Sequence, residues 1–139
     1  MLELRENILD VDTYLLLREK VGWVGLSRNQ ARKAIDNCLY NVCAYMDGEP
    51  VAMGRVVGDG AVISYIQDLV VIPSAQKEGI GSAVLDCLIQ YVKDITEEGT
   101  RMMLCLMCAK GREEFYIKHG FTPRPTDELG PGMITYITR

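Results

Sequence analysis

The apolar residues of this chain follow a helical period in four stretches and a strand-like period between them. The clearest helical stretch runs from Gly79 to Glu97, where apolar residues recur every three or four positions on one face. These residues are Ile80, Val84, Leu85, Leu88, Ile89, Val92 and Ile95. The same spacing predicts a first helix that starts at Asp12 or Thr13 and ends at Lys20, and a last helix from Lys110 to His119.

A further helix and a three-stranded meander are predicted for the middle of the chain. Ser27 followed by Gln30 is the pattern of a capping box, which predicts a helix from Ser27 to Leu39. The period then changes to that of strands. Three strands are predicted, at 41–46, 51–57 and 61–72, with tight turns at Asp47-Gly48 and at Gly58-Asp59-Gly60. Because tight turns join them, these strands should be antiparallel.

The remaining strands are expected in the last third of the chain. The pattern predicts a buried strand from Met102 to Met107, a short strand from Phe121 and a last strand near Ile134 to Thr138. The order ααβββαβαββ is typical of an α+β fold with a mixed, mostly antiparallel central sheet and about four flanking helices. No repeat or linker divides the sequence, so one domain is expected over residues 1–139.

Composition and charge exclude several classes of protein. Of the 139 residues, 48% are hydrophobic and 24% are charged. This hydrophobic fraction is sufficient to form a core and excludes a disordered chain. The net charge of -4 disfavours a nucleic-acid partner, since such proteins are usually basic. The apolar runs are too short for a membrane span, and acidic residues from Glu3 onwards interrupt what a signal peptide would need. A cytoplasmic protein is therefore expected.

The five cysteines indicate free thiols in a reducing compartment, because their number is odd and their spacing is not that of a disulfide framework. Cys105 and Cys108 form a C-x-x-C pair, but this pair lies in a predicted apolar strand and no second pair has zinc-ligand spacing. His119 is the only histidine. The sequence therefore predicts buried thiols rather than a metal site.

The segment from Asp68 to Leu85 carries the candidate chemistry. A strand ends at Pro73, a short loop holds two glycines, and a strong helix begins inside that loop. The first N–H groups of a helix have no intrahelical acceptors, so this is a place where a phosphate can bind. A Walker A sequence is absent, and the third glycine of a dinucleotide fingerprint is replaced by Val84. Neither nucleotide motif therefore accounts for the loop.

The loop instead resembles the acyl-CoA-binding motif of the GNAT superfamily of N-acetyltransferases. The matching residues are Gln76-x-x-Gly79-x-Gly81, after a strand that ends in Val-x-Pro. A second match is Phe115-Tyr116-x-Lys118-x-Gly120-Phe121, which resembles another signature of that family. The late sequence around Arg124-Pro125 and 130–133 is similar to small, single-domain bacterial members. The resemblance covers nearly the whole chain.

This resemblance implies acetyl-CoA as the acyl donor and assigns residues to it. Backbone groups of Leu69, Val70 and Val71 would bind the pantetheine arm, and one N–H would stabilise the oxyanion. The pyrophosphate would be bound by the loop and helix start, comprising Gln76, Lys77, Glu78, Gly79, Ile80, Gly81 and Ser82. Tyr116 would be the general acid that protonates the leaving thiolate. An asparagine often found seven residues before that tyrosine is Ala109 here, which removes one expected contact to the pantetheine.

Asp68 directly precedes the cofactor strand and is the candidate base, acting on the amine directly or through water. An ordinary strand-end carboxylate is the alternative, just as Tyr116 could be a core aromatic. Candidate walls of the acceptor pocket are Tyr14, Trp23, Arg55 and Tyr65.

The expected reaction is acetyl transfer to a primary amine, by direct attack in a ternary complex and without a metal. The acidic balance, with Asp127 and Glu128 in the late loop, favours a small cationic metabolite as acceptor. Two alternatives remain: a non-catalytic CoA-binding sensor or partner module, and a protein acetyltransferase acting on a lysine or an N-terminus. Neither nucleic acid nor membrane is an expected partner, and the sequence leaves a homodimer open.

Overall fold

The computed structural model describes all of residues 1–139. In chain order the elements are β1 (Leu2–Glu6), α1 (Val11–Lys20), α2 (Arg28–Asp36), β2 (Tyr40–Met46), β3 (Glu49–Gly58), β4 (Ile63–Val71), α3 (Ile80–Ile95), β5 (Met103–Leu106) and α4 (Glu113–Lys118). A short 3-10 helix, Pro73–Ala75, lies between β4 and α3. The chain forms two compact units, Met1–Cys105 and Leu106–Arg139. The first unit holds nearly all of the sheet, and the second holds α4 and the residues after it.

The five strands form one sheet in the order β1-β2-β3-β4-β5. The first four strands are antiparallel neighbours, and the crossover through α3 leads to β5, so the sheet is mixed. Asp47 and Gly48, between β2 and β3, have φ of 51° and 86°, the left-handed pair that a type I′ hairpin turn requires. The predicted α+β class, the mixed sheet and its four helices are confirmed.

Local capping groups set the starts of the first two helices. The Asp10 side chain accepts a hydrogen bond from the Thr13 N–H at 2.7 Å, so α1 begins at Val11, earlier than predicted. The Ser27 hydroxyl accepts from the Gln30 N–H at 3.0 Å, which confirms the predicted cap of α2. That helix ends at Asp36 rather than Leu39, because the Leu39 N–H donates to Val56 of β3 instead.

Helices of the first unit cover both faces of the sheet. The apolar face of α3 is almost fully buried against β2, β3 and β4, and includes Val84, Leu85 and Leu88. Gly54 of β3 permits this close packing, since a Cβ there would lie 2.7 Å from Leu88 Cδ1. Neighbouring strand residues point to opposite faces, so the next residue, Arg55, faces α1.

Three sequence predictions differ from the structure at the ends of the chain. The strand β1 was not predicted, because its charged residues give no apolar period; it forms by antiparallel pairing with β2. The fourth helix begins at Glu113 rather than Lys110, since Gly111 has a φ of 92°. The strands predicted from Phe121 and near Ile134 to Thr138 are not formed. Strand formation needs a partner strand, which periodicity alone does not supply.

The turn between β3 and β4 gives a test of the fold. Gly58 has a φ of 135°, and a Cβ there would lie 2.5 Å from the Ile63 carbonyl oxygen. We expect Gly58→Ala to lower the free energy of unfolding by about 3 kcal/mol, from strain and the clash together. Gly48→Ala, where φ is 86° and the space is open, should cost only about 1 kcal/mol. Equilibrium denaturation measures both, and equal losses would contradict the clash.

Candidate active site

A β-bulge in β4 shapes the centre of the candidate site. Arg55 of β3 lies opposite Gln67, and Met53 of β3 lies opposite Val70. Gly54, the one residue between Met53 and Arg55, therefore faces two residues of β4. These two are Asp68 and Leu69, and Asp68 has a φ of 60°. A bulge bends its strand and redirects a side chain. Here it places the Asp68 carboxylate in the interior.

The Asp68 carboxylate accepts hydrogen bonds from four side chains, of which the longest is that from Gln67 Nε2 to Oδ1 at 3.4 Å. The Tyr14 hydroxyl donates to Oδ2 at 2.5 Å, and Arg18 Nη1 donates to Oδ1 at 2.7 Å. Arg55 donates to Oδ2 through Nε at 2.9 Å and Nη2 at 2.8 Å. The Asp68 side chain is 0% exposed. One buried carboxylate thus pairs with two guanidinium groups, so Asp68, Arg18 and Arg55 together carry one net positive charge.

The same residues join four elements of the first unit. Tyr14 and Arg18 are one turn apart on α1, so both reach β4 from one helix face. Arg18 Nη2 also donates to the carbonyl of Val24 at 3.0 Å, and its guanidinium lies 5.2 Å from the Trp23 ring centre. Arg55 Nη1 donates to the Ala34 carbonyl of α2 at 3.1 Å. We call Tyr14, Arg18, Arg55 and Asp68 the Asp68 cluster.

Electrostatics fixes the protonation of two members of the Asp68 cluster. Burial, and then the hydrogen bond to Asp68, raise the pKa of Tyr14 to about 12. Burial alone lowers the pKa of Arg55, but the Asp68 carboxylate more than offsets this, so the net pKa lies above its ordinary value. At neutral pH Tyr14 is therefore a neutral donor and Arg55 is charged.

The structure brings together three of the four pocket-wall residues that the sequence suggested. Tyr14 and Arg55 contact Asp68, and Trp23 stacks near Arg18. Tyr65 lies half-buried on β4, three residues before Asp68. Sequence reasoning missed Arg18. Its signal was a charged residue four positions after Tyr14, on a helix side that is otherwise apolar.

The loop after β4 leads directly into α3. The Gln76 side-chain amide donates to the carbonyl of Val71 at 3.0 Å, which ties the loop to the end of the strand. Lys77 and Gly79 both have left-handed φ, at 69° and 78°, and residues 77–79 are exposed. Gly79 is the N-cap of α3, with no side-chain cap, and Ile80 is buried. The first N–H groups of α3 therefore face an exposed loop, a geometry suited to an anion.

Tyr116 lies on α4 in the second unit, where it is half-buried. Its ring packs edge-to-face on Phe115 at 5.1 Å and on Phe121 at 5.9 Å between ring centres. Asp68 belongs to the first unit. The structure thus shows an aromatic environment for Tyr116, and its role as general acid stays a prediction.

The C-x-x-C pair differs from the expectation of two buried thiols. Cys105 is half-buried on β5, whereas Cys108 is exposed because β5 ends two residues earlier. Burial is the leading cause that raises the pKa of both thiols. No three His, Cys, Asp or Glu side chains lie close enough together to hold a metal ion. No helix is long and apolar enough to cross a membrane.

Similar proteins were found by sequence and by structure. Among curated proteins, chloroplastic serotonin N-acetyltransferase 2 from rice (Oryza sativa subsp. japonica) is 32% identical over 85 residues, which are 58% of this chain. The match spans only 42% of that relative's length.

Three solved structures share the fold. A Staphylococcus aureus protein of unknown function, described as a probable acetyltransferase, superposes with a TM-score of 0.86, 28% identity and coverage of 99% and 100% of the two chains. A GNAT-family acetyltransferase from Streptococcus pneumoniae superposes with a TM-score of 0.83 and 27% identity, and the match covers 100% of this chain and 99% of that one. N-acetylglutamate synthase from Neisseria gonorrhoeae, complexed with coenzyme A and L-arginine, superposes with a TM-score of 0.69 and 21% identity. This match covers 92% of this chain and 29% of that one.

A family model decides the classification. The model of the GNAT acetyltransferase domain matches residues 36–123, which include β4, the loop, α3 and α4. This span is more than half of the chain, and the full-length structural matches agree with it. The chain belongs to the GNAT family of acetyltransferases.

Proposed function

We propose that this protein is an acetyl-CoA-dependent N-acetyltransferase that acetylates a primary amine. The observation that carries the proposal is the loop at residues 76–79, exposed at 77–79, which leads into the uncapped start of α3. Backbone N–H groups there suit the pyrophosphate of CoA, and no side chain competes for them as a cap. Family membership supports this donor, as does the coenzyme A bound to the gonococcal synthase.

The proposed donor site extends back along β4. Leu69, Val70 and Val71 connect the bulge to the loop, so their backbone groups are the proposed partners of the pantetheine arm. One of their N–H groups would stabilise the oxyanion that forms when the thioester carbonyl is attacked. Residues 76–82 would hold the diphosphate, with Gly79 and Gly81 leaving room for its oxygens.

The proposed reaction is direct transfer in a ternary complex. The neutral amine attacks the thioester carbonyl carbon, a C–N bond forms, and the C–S bond breaks. The CoA thiolate leaves and takes a proton from the Tyr116 hydroxyl, which acts as the general acid. The amine loses its proton to a base, and the tyrosine is reprotonated from solvent. No metal is required for any of these steps.

The position of Asp68 limits how it could serve as that base. Its side chain is fully buried and already accepts from Tyr14, Arg18 and Arg55, so an amine has no direct access to it. We therefore assign Asp68 an indirect part. It fixes the bulge that precedes the donor strand, and it would influence the amine's proton only through water.

A small cationic amine is the proposed acceptor. The net charge of -4 favours such a molecule, and the name of the rice relative specifies an amine of this kind. The Asp68 cluster is net positive, so Asp127 and Glu128 are better candidates to attract the ammonium group. A panel of arylalkylamines, polyamines, amino sugars and lysine peptides, with released CoA thiol as readout, tests this choice. Acetylation of the peptides alone would identify a protein acetyltransferase instead.

The phosphate loop can be tested with one added charge. Gly81→Glu should weaken acetyl-CoA binding at least about a hundredfold, or roughly 2.7 kcal/mol, because a carboxylate would occupy and repel the phosphate position. Gln90→Glu places the same side chain on an exposed turn of α3 and should leave affinity unchanged. Isothermal titration calorimetry measures both variants. Unaltered affinity of a folded Gly81→Glu protein would exclude the phosphate loop.

The role of Tyr116 can be tested by removing its hydroxyl. Tyr116→Phe should lower kcat roughly tenfold to a hundredfold and barely change acetyl-CoA affinity, since a thiolate needs only modest general-acid help. Tyr45→Phe, the same change on β2, should leave kcat unaltered. If kcat of Tyr116→Phe is unaltered, Tyr116 is a packing residue and the non-catalytic CoA-binding module gains equal support.

The buried ion pairs of Asp68 predict a large effect on stability. Asp68→Asn should lower the free energy of unfolding by about 3–5 kcal/mol, because Arg18 and Arg55 would keep buried charge without a counter-ion. Asp12→Asn breaks the exposed pair with Arg28 and should cost less than about 1 kcal/mol. Urea denaturation compares the two variants. Similar small losses would show that the buried pairs contribute little.

A further inference from the structure

The Arg18 guanidinium keeps one buried donor without a partner. Its Nη1 donates to Asp68 at 2.7 Å and its Nη2 donates to the carbonyl of Val24 at 3.0 Å, but Nε is buried and has no hydrogen-bond acceptor. No other buried side-chain nitrogen or oxygen in the structure lacks a partner. Because buried polar groups are almost always hydrogen-bonded, the unpaired Nε–H indicates an acceptor supplied from outside the chain.

The charge around this donor is also uncompensated. Arg18 and Arg55 share the single carboxylate of Asp68, and their side chains are only 13% and 7% exposed. Charges so deeply buried are normally paired one to one, since an unpaired charge loses its hydration without gaining a counter-ion. A second carboxylate next to Arg18 would neutralise the remaining positive charge.

The guanidinium of Arg18 has the geometry to bind such a group. The Nε–H and one Nη2–H of an arginine are parallel in one plane, and their spacing matches the two oxygens of a carboxylate. The Nη2 atom carries two hydrogens, of which the Val24 carbonyl takes one. A ligand carboxylate can therefore satisfy Nε without breaking the ion pair between Nη1 and Asp68.

The sequence around Arg18 is basic, although the chain as a whole is acidic. Between residues 18 and 33 Glu19 is the only acidic residue, against five basic ones, and Asp12 on α1 pairs with one of these. Exposed charges act over about 8 Å at physiological salt, so these residues affect a bound anion more than the net charge of -4 does. The five basic residues are Arg18, Lys20, Arg28, Arg32 and Lys33.

Exposed apolar side chains lie beside the charged group. The Trp23 ring centre is 5.2 Å from the Arg18 guanidinium, and Trp23 and Val24 are 39% and 84% exposed. Residues 21–27 form no helix or strand, and the space around Gly22 and Gly25 is open, so this segment can shift to admit a ligand to Nε. A ligand with a carboxylate and an adjoining apolar group fits these surroundings.

We propose that the acceptor amine carries a carboxylate close to its amino group and that Arg18 binds this carboxylate. The inference rests on the proposed function, because it names the class of amine that is acetylated. Arg18 bonds directly to Asp68, and Asp68 immediately precedes Leu69 to Val71, the proposed donor strand. A carboxylate on Arg18 thus brings a nearby amine to the start of that strand. An amino acid with an apolar side chain has all three features, and it narrows the proposed class of small cationic amines.

The fluorescence of Trp23 tests the binding step without any turnover. Trp23 is the only tryptophan of the chain, so its emission reports on the neighbourhood of Arg18. Hydrocinnamate, which is phenylalanine without its amino group, should change this emission saturably, whereas its neutral amide should not. Arg18→Lys keeps a positive charge for Asp68 but loses the parallel pair of donors, and it should weaken hydrocinnamate binding at least about tenfold. Arg28→Lys makes the same change in an exposed ion pair and should leave binding unaltered.

Turnover of a matched series tests the preference for the acid. The wild-type kcat/KM for phenylalanine should exceed the values for phenylalaninamide and phenethylamine at least about tenfold, since only the acid can pair with Arg18. Arg18→Lys should remove this preference by raising KM for phenylalanine, and Arg28→Lys should keep it. The preference of the wild-type protein is decisive even if Arg18→Lys does not fold.

The two measurements distinguish failure of this inference from failure of the proposed function. Saturable binding of hydrocinnamate together with no acetylation of any amine would contradict the proposed function and leave the carboxylate site standing. Equal kcat/KM for phenylalanine and phenethylamine would overturn the carboxylate site and leave the acetyltransferase standing. An emission that hydrocinnamate does not change, or that its amide changes equally, would also overturn the carboxylate site.

Discussion

The structure of the first unit depends on one buried carboxylate. Asp68 is held by two arginines and a tyrosine, and it lies in a bulge that strands form only when something stabilises the extra residue. A buried charge is costly unless it is paired, so the bulge, both guanidinium groups and the Tyr14 hydroxyl form a single arrangement. Through Arg18 and Arg55 it positions α1, the loop after it, and α2.

The same bulge determines where the candidate donor site lies. The residues immediately after Asp68 are the last of β4, and five residues beyond the strand the chain reaches the exposed loop that starts α3. The apolar face of α3 anchors that helix on β2, β3 and β4, so its N-terminus keeps a fixed place beside the end of β4. A rigid core thereby supports a loop whose backbone N–H groups remain open to a ligand.

The second unit contains less regular structure than the first. Its helix α4 carries the aromatic group around Tyr116, whereas the large apolar side chains within residues 133–137 are exposed and form no regular element.

The sequence by itself determined the parts of this protein that rest on local patterns. Helix α3, the capped start of α2, the Asp47-Gly48 hairpin and the Gln76 to Gly81 loop all follow from short-range spacing, and so did the family resemblance. Only the tertiary structure showed that Asp68 is enclosed by Arg18 and Arg55, because ion pairs between residues 13 and 50 positions apart leave no periodic signal. Likewise β1 forms, and the strand predicted near Ile134 to Thr138 does not, because pairing depends on a partner strand and not on the segment's own sequence.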